Sequence, residues 1–133
     1  MCDLMRSERV THSAGVPTVW LTMMQYLDKT GGDLADLKVV TIGGSAAPRA
    51  MIQYFVDRGI RVGHAWGMTE MSPIGTVGAP LAGWDDLSQE QQIDYTSKQG
   101  RVPFGVELRT ADDDGIVLPR DGKTSGRLQA RGP

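Results

Sequence analysis

Apolar positions along the chain follow two different spacings. From Pro17, the residues Val19, Trp20, Met23, Met24 and Leu27 recur at helical intervals until Gly31. That pattern predicts a helix, with proline suited to its first turn and glycine to its stop. The methionines and Trp20 of this stripe read as core packing. Just before it, "RVTHSAGVP" reads as a short strand running into a turn. After it, "LKVVTIGGS" is a continuous apolar run ending in glycines, the signature of a strand buried on both faces. "PRAMIQYFVDRG" returns to helical spacing, with Met51, Ile52, Phe55 and Val56 on one stripe, and "IRV" then resumes as a strand. Strand, helix and strand joined by short connections make a βαβ unit, so the two strands are expected to be parallel.

Beyond Pro80 the texture is polar. Ser88 and Gln91 stand at capping-box spacing ahead of a short predicted helix, and the stretch from Gly105 to the end alternates and turns like a β-hairpin or meander. The expected fold class is therefore α/β, a βαβ parallel sheet followed by a β-rich segment. A soft boundary near Gly100 divides residues 1–99 from 100–133.

Composition narrows the function. A net charge of −2, with 23% charged residues, gives no electrostatic case for nucleic acid or an anionic membrane surface. The longest apolar region, "VPTVWLTMMQYL", is interrupted by polar residues and too short to span a bilayer, and "MCDLMRSERV" does not read as a secretory signal. Cys2 is the single cysteine, which rules out an internal disulfide and fits a reducing, cytoplasmic compartment.

The candidate chemistry sits in two glycine-bearing segments. Ligands of open α/β sheets bind beyond the carboxyl ends of parallel strands, and "GGSAAP" (43–48) and "GHAWGMTE" (63–70) leave two such ends. The small side chains of Ser45, Ala46 and Ala47 ahead of Pro48 allow close approach of a ligand to backbone amides; a tight strand-to-helix connection would use the same residues. Neither a G-x-G-x-x-G fingerprint nor a P-loop is present. In the second segment Thr69 offers a hydroxyl to a phosphate oxygen. Glu70 offers a hard carboxylate, suited to a Mg²⁺ ion that keeps most of its waters and a phosphate ligand. Gly67 lets the backbone turn without blocking a pocket, and Trp66 could lie against a base. Trp66 in the core, Glu70 at the surface and Thr69 in a turn are the plain alternatives.

"HAWGMTE" resembles the aromatic-Gly-x-Thr-Glu signature of the adenylate-forming (AMP-binding) enzyme superfamily, and "VVTIGGSAAP" resembles its small-residue adenine loop. "GVPT" at 15–18 and the closing "SGRLQARGP" occur in the family's order. Together with "KQGRVPFGVELR", these look most like bacterial synthetases acting on fatty or methylthioalkanoic acids. The resemblance implies an acid–thiol ligase: ATP activates a carboxylic acid to an acyl-adenylate, and the acyl group passes to coenzyme A. It places Ser45, Ala46, Ala47 and Pro48 beside the adenine, with His64, Ala65, Trp66, Gly67 and Met68 completing the nucleotide site and Trp66 in place of the usual stacking tyrosine. Thr69 would bond the α-phosphate, Glu70 would ligate Mg²⁺, and Pro73 and Ile74 would border the acyl pocket. His64 and Ala65 replace the family's common glutamine and glycine, so position 64 is equally readable as a core histidine. The resemblance leaves a homodimer of the full-length enzyme open.

The family's phosphate loop, its T-G-D ribose segment and its C-terminal domain with the catalytic lysine are not among these residues. The chain is therefore expected to be an internal piece of the N-terminal domain, inactive alone. A non-catalytic nucleotide-binding remnant, an aryl-CoA ligase and a peptide-synthetase adenylation domain stay as alternatives. "DDDG" at 112–115 reads as a hairpin turn rather than a Ca²⁺ loop, because Thr110 fills the first ligand position. His12 reads as structural.

Overall fold

A computed structural model describes residues 1–132; the last proline of the "RGP" motif, Pro133, lies outside the described residues. The chain divides into two compact units, Met1–Arg101 and Val102–Pro133.

The first unit is built on a four-stranded sheet in the order β1 (His12–Gly15), β2 (Val39–Ile42), β3 (Arg61–Gly67) and β4 (Ile74–Val77). The first three strands are parallel, in the register Ala14, Thr41, Gly63. β4 runs antiparallel to β3, so the sheet is mixed rather than wholly parallel. The short apolar run "IRV" marks only the start of β3, which continues through Gly67. Its glycines do not begin a loop, and Gly67 admits a close backbone neighbour. The Gly78 amide bonds the His64 carbonyl at 2.8 Å, and a Cβ on Gly67 would lie 1.7 Å from the Pro73 carbonyl oxygen. Glycine inside a strand often has this meaning.

Helices α1 (Cys2–Ser7), α2 (Pro17–Thr30), α3 (Arg49–Val56) and α4 (Gln89–Thr96) complete the unit. α1 has too few apolar positions to announce itself, and only Met5 of it is buried. α2 starts at Pro17 and ends at Gly31 in the left-handed conformation that glycine adopts freely. Its buried stripe is Pro17, Trp20, Met23 and Leu27, while Val19 points outward. α3 buries Met51, Ile52 and Phe55, and the Phe55 ring meets Trp20 edge-on with centroids 5.4 Å apart. The Trp20 indole N–H donates to the Gly15 carbonyl at 3.1 Å, giving its one polar atom a partner at the end of β1.

Contrary to the expectation of a strand buried on both faces, β2 alternates. Val40 and Ile42 are fully buried, and Val39 and Thr41 are half-buried. The apolar run follows from its position at the centre of the sheet, but the helices cover only the face that carries Val40 and Ile42. α4 begins with the expected capping box: Ser88 Oγ accepts the Gln91 amide, and Gln91 Oε1 accepts the Ser88 amide at 2.9 Å. Arg49 of α3 bonds both Glu90 and Asp94 of α4.

The second unit is a two-stranded antiparallel sheet, β5 (Glu107–Ala111) with β6 (Arg127–Arg131). Arg131 bonds Glu107 across the pair at 2.7 and 2.9 Å. "DDDG" is a tight turn: Asp112 Oδ1 accepts the amides of Asp114 and Ile116, and Val117 returns to pair with Ala111. No helix among the described residues is long and apolar enough to cross a membrane.

Candidate active site

At the carboxyl edge of the parallel strands, β2 ends at Ile42, level with His64 of β3. From there the chain enters the 43–48 loop while β3 runs on to Gly67. The loop lies against β3, since a Cβ on Gly43 would sit 3.4 Å from the Ala65 carbonyl oxygen. Ser45, Ala46 and Pro48 are exposed and Ala47 is buried. Among the described residues, the amides of Gly44, Ser45 and Ala46 donate to no protein acceptor. Three consecutive free donors with minimal side chains are thus presented at the strand end.

His64 holds the loop from below. Its imidazole is 1% exposed; Nε2 accepts the Ala47 amide at 3.1 Å, and Nδ1 lies 3.2 Å from the Thr96 carbonyl oxygen of α4. A backbone N–H can only donate, so the proton is on Nδ1 and the ring is neutral. With both nitrogens engaged inside the protein, the His64 side chain faces the interior rather than the open side of the loop. The neighbouring Ala65 is buried too.

Trp66 is half-buried at the end of β3, its ring over Gly75, where a Cβ would come within 2.5 Å of the indole. Glycine at position 75 is what lets the ring lie there. The main chain then passes through Met68, half-exposed, into a single 3₁₀ turn, Thr69–Met71. That turn is closed by bonds from the Met71 amide to the Met68 carbonyl and from the Ser72 amide to the Thr69 carbonyl. It leaves the Thr69 hydroxyl and Glu70 carboxylate exposed beyond the strand end. Pro73 and Ile74 are exposed where the chain re-enters the sheet. Gly67 is required here by the Pro73 carbonyl packed on its α-carbon, not by an open pocket.

Thr76, opposite Trp66 on β4, carries a buried hydroxyl oxygen with no partner among the described residues. Nothing in the spacing "PIGTV" signals it, because the strand itself was not legible. A cavity of about 410 Å³ lies elsewhere, lined by Val39, Arg61, Gly78, Trp84 and Tyr95 among others. Val39 and Arg61 are the first residues of their strands, so the cavity reaches the end opposite the motif. Of the 63–70 segment only Gly63 lines it, and the residues from His64 to Glu70 do not.

A carboxylate fit for a cation is present but solitary. Among the described residues Glu70 makes no ion pair, and no cluster of His, Cys, Asp or Glu able to hold a metal occurs. One hard oxygen ligand suits Mg²⁺ held mainly by phosphate and water, and does not suit a protein-caged metal.

The loop and the exposed Thr-Glu turn thus share one edge of an α/β sheet, and comparison with known proteins identifies the class of the chain. The family model described as "AMP-binding enzyme" matches residues 1–133, and the chain belongs to that family. It is similar to the medium-chain-fatty-acid–CoA ligase of Ectopseudomonas oleovorans, 46% identical over 99% of this chain and 24% of the relative. It is also similar to the 3-methylmercaptopropionyl-CoA ligase of Ruegeria lacuscaerulensis, 45% identical over 99% of this chain and 25% of the relative. Among solved structures, a long-chain-fatty-acid-CoA ligase from Archaeoglobus fulgidus superposes with a TM-score of 0.80 at 22% identity, covering 98% of this chain and 26% of the other. The chain spans about a quarter of the length of the curated relatives it matches.

Proposed function

We propose that this chain forms the adenylate-binding part of an AMP-forming acid–thiol ligase. Its substrates are ATP, coenzyme A and a fatty or thioether-containing alkanoic acid. The observation that carries the reading is the shared strand edge. A small-residue loop with three free amides and an exposed Thr-Glu turn leave neighbouring strands at the same end. The two CoA ligases at 46% and 45% identity support the acid class.

In the reaction a carboxylate oxygen of the acid attacks the α-phosphorus of ATP. The bond to the β-phosphate bridging oxygen breaks, and pyrophosphate leaves with the electron pair. The thiolate of coenzyme A, its proton lost to solvent, then attacks the acyl carbon and AMP departs as a phosphate anion. Ser45, Ala46, Ala47 and Pro48 border the adenine and Trp66 packs on it, with Gly67 and Met68 carrying the chain past the nucleotide. The Thr69 hydroxyl donates to the α-phosphate. Glu70 would hold Mg²⁺, which when bound offsets charge on the phosphates. Pro73 and Ile74 flank the acyl chain. We place the enzyme in the cytoplasm, in keeping with the single cysteine among these 133 residues, and a homodimer is the assembly to test by light scattering.

The test is carboxylate-dependent exchange of labelled pyrophosphate into ATP by the full-length enzyme, across acids of increasing chain length and their thioether analogues. Exchange with alkanoic acids followed by acyl-CoA formation is expected. No exchange with any acid would overturn the reading. The 133-residue chain alone is expected to show none.

A further inference from the structure

We propose that His64 is a positioning residue that sets the height and rigidity of the 43–48 loop, acting on nucleotide affinity through Ala47 rather than by touching the nucleotide. The proposal rests on the functional reading above. Three features of the molecule carry it.

The imidazole is 1% exposed and spends both nitrogens on backbone groups of different segments, Ala47 in the loop and Thr96 at the end of α4. Each of those groups needs such a partner. Thr96 is the last residue of α4, so its carbonyl has no acceptor role inside the helix. Ala47 is the buried residue of the loop, flanked by exposed Ala46 and Pro48. Its amide, turned inward, orients the peptide so that the preceding amides stay free for a ligand. Besides the apolar packing of Ile93, this region is tied to α4 by the ion pairing of Arg49 with Glu90 and Asp94, whose side chains are 43%, 72% and 63% exposed. Solvent-exposed pairs hold little. A buried hydrogen bond between neutral groups is the firmer link, and its loss strands a polar group in the interior.

The geometry separates the two bonds by side-chain reach. Glutamine brings a polar end near the place of Nε2 and can accept the Ala47 amide. Asparagine reaches only near Nδ1, keeping a donor for Thr96 and abandoning Ala47. Leucine abandons both. In the full-length enzyme, His64→Leu and His64→Asn should each raise KM for ATP roughly tenfold, the size of one buried hydrogen bond. kcat and KM for the acid should stay within about twofold, as expected for uniform loss of binding. His64→Gln should recover most of the loss. Amide exchange at Ala47, followed by mass spectrometry of peptides across 43–50, should accelerate about tenfold in the Leu and Asn variants and stay slow in wild type and Gln.

The proposal is overturned if Asn matches wild type, if Gln is as impaired as Leu, or if Ala47 exchange is unchanged by Leu and Asn. Should the Leu variant not fold, the Gln–Asn comparison decides alone. A wild-type enzyme without pyrophosphate exchange would defeat the functional reading, while the exchange of Ala47 would still decide whether His64 holds the loop.

Discussion

Gly67→Ala is the perturbation whose size the structure defines best. The added methyl would lie 1.7 Å from the Pro73 carbonyl oxygen, 2.8 Å from its carbon and 3.0 Å from the Gly75 nitrogen. Non-bonded heavy atoms settle near 3.5 Å, so the backbone around Pro73 must withdraw by roughly 1.5 Å or more. All three obstructing atoms are backbone, and no side-chain rotation relieves them. The displaced segment is the one that returns from the Thr69–Met71 turn, so the shift passes directly to Thr69 and Glu70. Overpacking of this kind costs about 1–3 kcal/mol of stability. A misplacement of about 1 Å at reacting groups costs on the order of 10²-fold in rate. The expected variant is folded, melts lower, and forms acyl-adenylate about a hundredfold more slowly. Gly31→Ala is the control: nothing lies within 4 Å of its Cβ, but its φ of +66° disfavours a side chain. It should lose about 1 kcal/mol of stability without a change in adenylation rate. The assay is single-turnover adenylate formation beside thermal melts of both variants. Wild-type rate and melting in Gly67→Ala would refute the reasoning.

Glu70→Gln should lower adenylation about 10²–10³-fold with an unchanged melting temperature, and higher Mg²⁺ should restore part of it; near-normal rates would return Glu70 to an ordinary surface role. Thr69→Val should weaken nucleotide handling by one hydrogen-bond donor, without recovery by Mg²⁺. In the second unit, the amides of Thr124 and Lys123 and the Thr124 hydroxyl, each at 2.8 Å, depress the Asp121 carboxyl from 3.8 to about 2. A depressed carboxyl stabilises its turn above its unfolded value and loses that contribution as pH falls through about 2. The amide resonances of residues 123 and 124 should therefore shift with a midpoint near 2, and a midpoint near 3.8 would contradict the turn geometry. The isolated chain should bind an apolar dye and melt broadly, because Phe104, Ile116, Val117 and Leu128 stand exposed in a unit whose sheet has only two strands. A sharp cooperative melt without dye binding would count against that expectation.

Local chemistry was enough to read much of this protein. Pro17 and Gly31 bound α2 because proline fits a first helical turn and glycine a left-handed stop, and Pro48 and the left-handed Gly59 flank α3. The helical stripe of Trp20, Met23 and Leu27 marks a core face, and Ser88 with Gln91 caps α4, because each of these depends on residues a few positions apart. The motif order from "GVPT" to "SGRLQARGP" was sufficient to point to the AMP-binding family, which the family match then established. Other features depend on partners distant in sequence. β3 continues through "GHAWG" because Gly78 packs on the His64 backbone and Pro73 approaches Gly67, which leaves it room, a fact of packing that propensity cannot register. β4 exists only by pairing with it. Val39 and Thr41 lie in an apolar run, yet which face the helices cover was decided by the tertiary arrangement. His64 is the sharpest case. Its interior place and its tautomer follow from Ala47 and Thr96, 17 and 32 residues away, and only the fold brings those backbone groups to its two nitrogens.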